Sequence, residues 1–186
     1  MKREEKFIKY EKLLKDWSTK MNLVAPSTLS DIQTRHIKDS AQLAKYLPKD
    51  VNIIDLGSGA GFPGVVLAIL GWNVTCIESI GKKTKFLDTL KTELDLPNLK
   101  IVNDRIENFL SKTPVKAGNF VFTARAFAPL IKILDYTHKT KCRLFLLKGR
   151  EIETEIQLAQ TKYKFDYELY KSETGDGFII YITNLK

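Results

Sequence analysis

The sequence predicts an α/β fold: a seven-stranded, mostly parallel sheet with helices on both faces, preceded by an N-terminal helical extension. Three observations predict it. From Val51 onward short apolar runs alternate with helical stretches, a glycine-rich turn follows the first run, and the preceding 50 residues show helical periodicity without a strand signal. A chain of 186 residues and 21.3 kDa suits one main domain with a small extension. The division falls at 50/51, with residues 1–50 packed on the main domain 51–186. A composition that is 44% hydrophobic and 28% charged excludes a disordered or fibrous chain.

Phe7, Tyr10, Leu14, Trp17 and Met21 recur at steps of three and four, which places them on one core-facing stripe of a first helix. Ser30 or Asp31 caps a second helix that carries Ile32, His36, Leu43 and Leu47 and ends at Pro48. Buried strands are predicted at 51–55, 73–77, 99–102, 119–123 and 143–147. Helices fall near 63–70, 82–94, 106–112, 128–138 and 150–161. Phe165–Tyr170 and Phe178–Thr183, joined through Glu173–Gly177, predict a terminal antiparallel hairpin.

The net charge of +8 favours an anionic partner. Residues 1–50 hold 11 basic and 7 acidic groups, 51–100 hold 5 of each, 101–150 hold 10 and 3, and 151–186 hold 4 and 7. The excess therefore sits just after a neutral quarter. Cys76 and Cys142 show neither zinc spacing nor a disulfide framework, so no metal is expected. The N-terminus has no signal-like apolar run, and Val65–Leu70 is too short to span a bilayer. These features predict a soluble protein of a reducing compartment with no membrane partner.

Ile53-Ile-Asp55-Leu-Gly57-Ser-Gly59-Ala-Gly61-Phe62-Pro63-Gly64 is the most informative segment. Its glycines permit positive φ and close ligand approach, and Pro63 suits the first turn of a helix. Gly59-x-Gly61-x-x-Gly64 also fits a dinucleotide fingerprint, and Glu78 stands where it would bind a ribose hydroxyl in either reading. Asp55 separates the two cofactors, because at the carboxyl end of the first strand it would repel a pyrophosphate. S-adenosyl-L-methionine has no phosphate and carries ammonium and sulfonium cations. It suits a loop flanked by Asp55 and Glu78 with no Lys or Arg between Val51 and Ile80. Asp104, after the third strand, adds an acid near the adenine side.

Trp17 with Met21-Asn-Leu-Val24, Arg35-His-Ile-Lys-Asp-Ser40, the glycine loop followed by Phe62-Pro63-Gly64, Glu78-Ser79, Lys82-Lys83, Phe86-Leu87, Arg105-Ile-Glu107, Thr123-Ala-Arg-Ala-Phe-Ala128 and Lys148-Gly149 form a further pattern. Through nearly its whole length the chain resembles the bacterial small-subunit ribosomal RNA methyltransferase G family, also called glucose-inhibited division protein B. The resemblance implies a Rossmann-like class I methyltransferase; a cytoplasmic monomer is expected. It implies methyl transfer to N7 of guanine 527 in 16S ribosomal RNA, with the RNA itself, the small subunit or an assembly intermediate as the substrate. It also implies cofactor contacts at Gly57, Phe62, Ile106, Glu107 and Arg125. The chain departs from the pattern at Met21, where Tyr is frequent, at Thr123, where Ser is usual, and in its short acidic tail.

Guanine N7 attacks with a free lone pair and loses no proton, so the reaction needs positioning more than a general base. Thr123-Ala-Arg125-Ala-Phe127 is not the Asp/Asn-Pro-Pro-aromatic motif of exocyclic-amine methylation, and neither cysteine follows a proline as a C5-pyrimidine nucleophile would. Arg125 is the candidate positioning residue at the reaction centre. Phe127 is a candidate for stacking on an extruded base or for the core. His36 and Asp39 share a helical face, in a polar packing or a catalytic role. Candidate RNA contacts are His36, Lys82, Lys83, Lys139, Lys141 and Lys148, within a basic set that includes Lys85, Lys132, Arg143 and Arg150. Two other readings stand beside this one: an NAD-type oxidoreductase, and a basic RNA-binding module without activity.

Overall fold

The computed structural model describes residues 1–186. Its strands are β1 (Asn52–Leu56), β2 (Asn73–Glu78), β3 (Leu99–Asn103), β4 (Phe120–Arg125), β5 (Arg143–Lys148), β6 (Asp166–Lys171) and β7 (Phe178–Thr183). Its helices are α1 (Arg3–Ser18), α2 (Asp39–Ala41), α3 (Gly64–Ile69), α4 (Gly81–Glu93), α5 (Ile106–Lys112), α6 (Leu130–Thr137) and α7 (Ile152–Gln160). The seven strands form one sheet in the order β3-β2-β1-β4-β5-β7-β6. The first five are parallel, while β7 runs antiparallel between β5 and β6. The expected terminal hairpin is therefore present, with its second strand innermost. An all-parallel dinucleotide sheet continues 3-2-1-4-5-6 instead.

Period-two alternation divides the core into two layers. Ile53, Val74, Val121, Phe145 and Ile179 face one side with residues of α1, α3 and α4. Ile54, Ile77, Phe122, Leu144 and Ile180 face the other with residues of α5, α6 and α7. Tyr10, Leu14, Ile32 and Leu43 belong to the first of these layers, so residues 1–50 share the core of the sheet. Met21 lies past the end of α1 and packs on that core from the following turn.

The second predicted helix is irregular. Asp31 is the capping side chain, its Oδ1 accepting the Thr34 N–H at 3.2 Å. A π turn over Gln33–Lys38 then leads into α2 and a 3₁₀ turn over Gln42–Lys45. Two carbonyls in the π turn are engaged by side chains: that of Arg35 accepts from Arg125 Nη2 at 2.8 Å, and that of His36 from Ser40 Oγ at 2.7 Å. A long-range contact of this kind leaves no mark on apolar periodicity. The acidic turn between β6 and β7 closes on the same region, where Thr174 Oγ1 donates to Asp39 Oδ1 at 2.7 Å and Glu173 pairs with Lys45 at 2.5 Å.

Candidate active site

A cavity of about 800 Å³ opens at the carboxyl ends of β1, β2 and β4, where open α/β sheets bind ligands. Its inner wall is the turn after β1, with Gly57, Ser58, Gly59, Ala60 and Phe62. Gly57 and Gly59 have φ of 64° and 55°, which bends the backbone tightly at little steric cost. Strand β2 holds this turn through the Ser58 N–H, which donates to the Ile77 carbonyl at 3.1 Å. From the N-terminal helix, Tyr10 Oη donates to the Ala60 carbonyl at 2.6 Å. Leu23, Val24, Ala25 and Thr28 complete that wall, none of which sequence reasoning selected as a site residue. Only the motif ending in Val24 hinted at them.

Two expected cofactor contacts lie elsewhere. Asp55 is fully buried beneath the turn and does not reach the cavity. Its Oδ2 accepts the Gly64 N–H at 3.3 Å and its Oδ1 accepts from Thr123 Oγ1 at 3.1 Å. Burial pushes its carboxyl up to about 7, against the hydrogen bonds from its neighbours. Gly61 likewise faces inward, where a Cβ would meet Tyr10 Oη and Val65 Cγ2 at 2.6 Å. The electrostatic case against pyrophosphate therefore changes form. Asp55 acts by occupying the N–H of Gly64 at the start of α3, and Pro63 before it has no N–H to offer a phosphate.

Glu78 closes the end of β2 and lines the cavity. One oxygen accepts the Gly59 N–H at 2.9 Å and the other the Ile80 N–H at 2.8 Å. The carboxylate thus fixes the turn and keeps acceptor capacity for a hydroxyl. Ile80, Asp104, Arg105, Ile106 and Glu107 line the far end. Asp104 is held below the usual carboxylate range by Asn108 Nδ2 and the Arg105 N–H. A Cβ on Gly59 would have no chain atom nearer than 3.8 Å, so this glycine leaves space in the cavity instead of filling it. Apolar side chains at Ile80 and Ile106, a carboxylate with spare acceptor capacity and a bare backbone turn fit an adenosyl group.

Arg125, at the end of β4, borders the cavity within a network. Its Nε pairs with Asp39 Oδ2 at 3.0 Å, and its guanidinium lies 5.6 Å from the Phe62 ring centroid. His36 Nδ1 accepts from Arg125 Nη2 at 2.9 Å, which leaves the His36 Nε2–H to donate to Thr28 Oγ1 at 2.8 Å. Burial, aided by the Arg125 charge, lowers the imidazole to about 4. Expected as an RNA contact, His36 lines the main cavity as a largely buried neutral residue, stacked on Phe62 at 5.0 Å with both ring nitrogens already engaged within the chain. Beyond Arg125 the backbone turns left-handed at Ala126, with φ of 48°, and brings Phe127 over Gly57. A Cβ there would lie 2.1 Å from Phe127 Cδ2.

The basic candidates separate by sheet edge. Lys83 lines the cavity, and Lys82 is exposed in the same first turn of α4. Arg105 lines it too, and Lys132 lies 5.2 Å over the ring of Tyr136, a further lining residue. Lys139 and Lys141, expected to border the site, precede β5 at the amino edge of the sheet, opposite the cavity. Lys148 stands on the site edge but is largely buried, paired with Glu155 at 2.6 Å.

Residues 3–175 match the family described as rRNA small subunit methyltransferase G. A protein so named from Orientia tsutsugamushi (strain Ikeda) is 43% identical over 176 residues, covering 92% of this chain and 85% of its own. One from Rickettsia prowazekii is 38% identical over 186 residues, covering 97% and 94%. Among solved structures, a SAM-dependent methyltransferase from Aquifex aeolicus superposes with a TM-score of 0.61 at 15% identity, covering 92% of this chain and 97% of that one. An rRNA methylase from Streptococcus thermophilus gives 0.57 at 13%, covering 89% and 100%. These two distant matches share the fold.

Proposed function

We propose that this chain, which belongs to the rRNA small subunit methyltransferase G family, transfers a methyl group from S-adenosylmethionine to guanine N7 in 16S ribosomal RNA. The observation that carries this reading is the cavity at the carboxyl edge of the sheet, lined by the glycine turn, Glu78, Ile80, Ile106, Arg125 and Phe127. S-adenosylmethionine, when bound, supplies a methyl group on a sulfonium. The bare turn Gly57–Gly59 would seat its methionine portion, Glu78 its ribose hydroxyls, and Ile80, Asp104, Ile106 and Glu107 its adenine end.

Arg125, Ala126, Phe127 and Tyr136 line the mouth, and they orient a substrate without taking its proton. His36 is no base there, because Arg125 occupies one nitrogen and Thr28 the other. That suits N7, whose lone pair attacks without deprotonation, and placement becomes the protein's main contribution. The reading includes a monomer acting in the cytoplasm on 16S ribosomal RNA itself, the small subunit or an assembly intermediate; no helix is long and apolar enough to cross a membrane. Nucleoside mass spectrometry of ribosomal RNA from cells with and without the gene tests it. Loss of 7-methylguanosine at one site is expected, and an unchanged profile would refute the assignment.

Glu78→Ala removes the ribose acceptor and leaves the N–H groups of Gly59 in the turn and Ile80 after β2 without their partner. Calorimetric titration should show S-adenosylmethionine affinity reduced by about 1–3 kcal/mol. Unchanged affinity would remove Glu78 from the site.

For RNA, the sheet edge decides. Reversing the charges of Lys82 and Lys83 should weaken binding and flatten its salt dependence by about one to two counterions. The same reversal at Lys139 and Lys141 should leave that slope at the wild-type value. The opposite ranking would place RNA on the amino edge.

A further inference from the structure

Beside the main cavity lies a second, more open one of about 310 Å³, which shares Ala126 and Phe127 with it and is also lined by Leu147, Lys148 and Glu155. Its volume lies at the lower end of small-molecule sites. On one wall, Lys148 Nζ donates to Glu155 Oε2 at 2.6 Å and to the Ala128 carbonyl at 2.9 Å. The same Oε2 accepts the Leu130 N–H at 2.5 Å. The lysine side chain is only 9% exposed and the glutamate side chain 24%. Both protein donors thus fall on one carboxylate oxygen. Oε1 has no partner within the chain, and the ammonium keeps a third proton. This corner offers one donor beside one acceptor, in a cavity flanked by an aromatic ring.

We propose that this second cavity seats the target base and that Lys148 and Glu155 select guanine. The assignment rests on the guanine-N7 reading above and names the residues that read the base. Guanine presents O6 as an acceptor beside N1–H and the 2-amino group as donors on its Watson–Crick edge. O6 matches the free ammonium proton, while N1–H and the 2-amino group match Oε1. N7 lies beside O6 on the Hoogsteen edge, so docking through the Watson–Crick edge leaves its lone pair unengaged by Glu155 and free to face the wall shared with the main cavity. Adenine reverses the pattern. Its N1 lone pair would face the carboxylate and its 6-amino group the ammonium, two repulsive contacts that reject it. Phe127 supplies the flanking surface that an unstacked base requires.

The same pair also ties α7 to the turn before α6, so the test needs a readout that a purely structural role would not move. RNA is assembled with guanosine or with inosine, which lacks only the 2-amino group, at the methylated position. Affinity and single-turnover rate are measured for wild type, Glu155→Gln and Glu155→Asp, with S-adenosylmethionine affinity by calorimetry as the measure of an intact main cavity. In wild type, inosine should cost about tenfold or more, the value of a lost hydrogen bond to a charged group. In either variant that retains cofactor affinity, the penalty should shrink to about threefold or less, as in a double-mutant cycle with one partner removed. A penalty of equal size in wild type and variant, or none in wild type, would overturn the assignment. Mapping the methyl group on the guanosine product keeps the two readings apart. A methyl group away from N7 refutes the reaction, whereas an N7 product with an unchanged inosine penalty refutes only the base seat.

Discussion

Gly57→Ala should lose cofactor binding and several kcal/mol of stability, whereas Gly59→Ala should lose cofactor binding with only the smaller backbone penalty in stability. Both positions have positive φ, at 64° and 55°, so each substitution carries a left-handed penalty of about 1–2 kcal/mol. Their surroundings differ. A Cβ on Gly57 would lie 2.1 Å from Phe127 Cδ2 and 2.7 Å from Cε2, so the ring or the end of β1 must move. Overpacking of this kind adds about 1–3 kcal/mol, giving a total loss near 2–5 kcal/mol in urea unfolding. Cofactor affinity should fall at least about tenfold, because Gly57, Ala126 and Phe127 all line the same cavity.

At Gly59 the nearest chain atom is 3.8 Å away, so the added methyl stands in the open cavity and meets only the ligand. Pairing Gly57→Ala with Phe127→Ala should recover the overpacking part of the stability loss and leave the φ penalty. If the single Gly57 variant unfolds like wild type, the contact between β1 and the Phe127 turn is not what requires glycine there.

This contrast marks what the sequence made legible. Glycine spacing after a buried strand was sufficient to locate the turn that walls the main cavity, because positive φ is a local demand. The central strands were legible for a similar reason: β1, β2, β4 and β5 are short apolar runs that must be covered on both faces. The direction of Asp55 was also readable, though charge obscured it. Ile53 and Asp55 share one face of β1 by period two, and Ile53 packs on the layer that contains α3, so Asp55 points beneath the helix that Gly64 starts.

Charge summed along the chain misled more seriously. The basic stretch 101–150 crosses the sheet several times, which puts Arg105, Arg125 and Lys132 on the site edge and Lys139 and Lys141 on the other. The Arg125–His36 contact spans 89 residues and the Arg125–Asp39 pair joins the same two segments. No periodicity encodes such pairings; only the folded topology brings them together.

Asp55 supplies the second large effect, and its sign follows from burial. The folded carboxyl titrates at about 7 against an ordinary 3.8, so between those values the folded state holds a proton that the unfolded chain has released. The resulting stabilisation is fully present below pH 3.8 and is lost as pH rises to about 7, on the order of 4 kcal/mol in total. His36 opposes it. Its imidazole is lowered from 6.5 to about 4, so its contribution is present above 6.5 and lost as pH falls toward 4. Between pH 4 and 6.5 the two slopes partly cancel, and the wild-type profile alone hides both.

The difference between wild type and Asp55→Asn isolates the carboxyl. The amide keeps an acceptor for the Gly64 N–H and offers its NH₂ to Thr123 Oγ1, whose oxygen accepts as well as donates. Urea unfolding at half-unit steps should show the Asn variant gaining on wild type from pH 4 upward and levelling off above pH 7. A flat difference would mean that the carboxyl ionises in the folded state at its ordinary value. Burial beneath the glycine turn would then be matched by the hydrogen bonds it receives, and the end of β1 would tolerate a full negative charge.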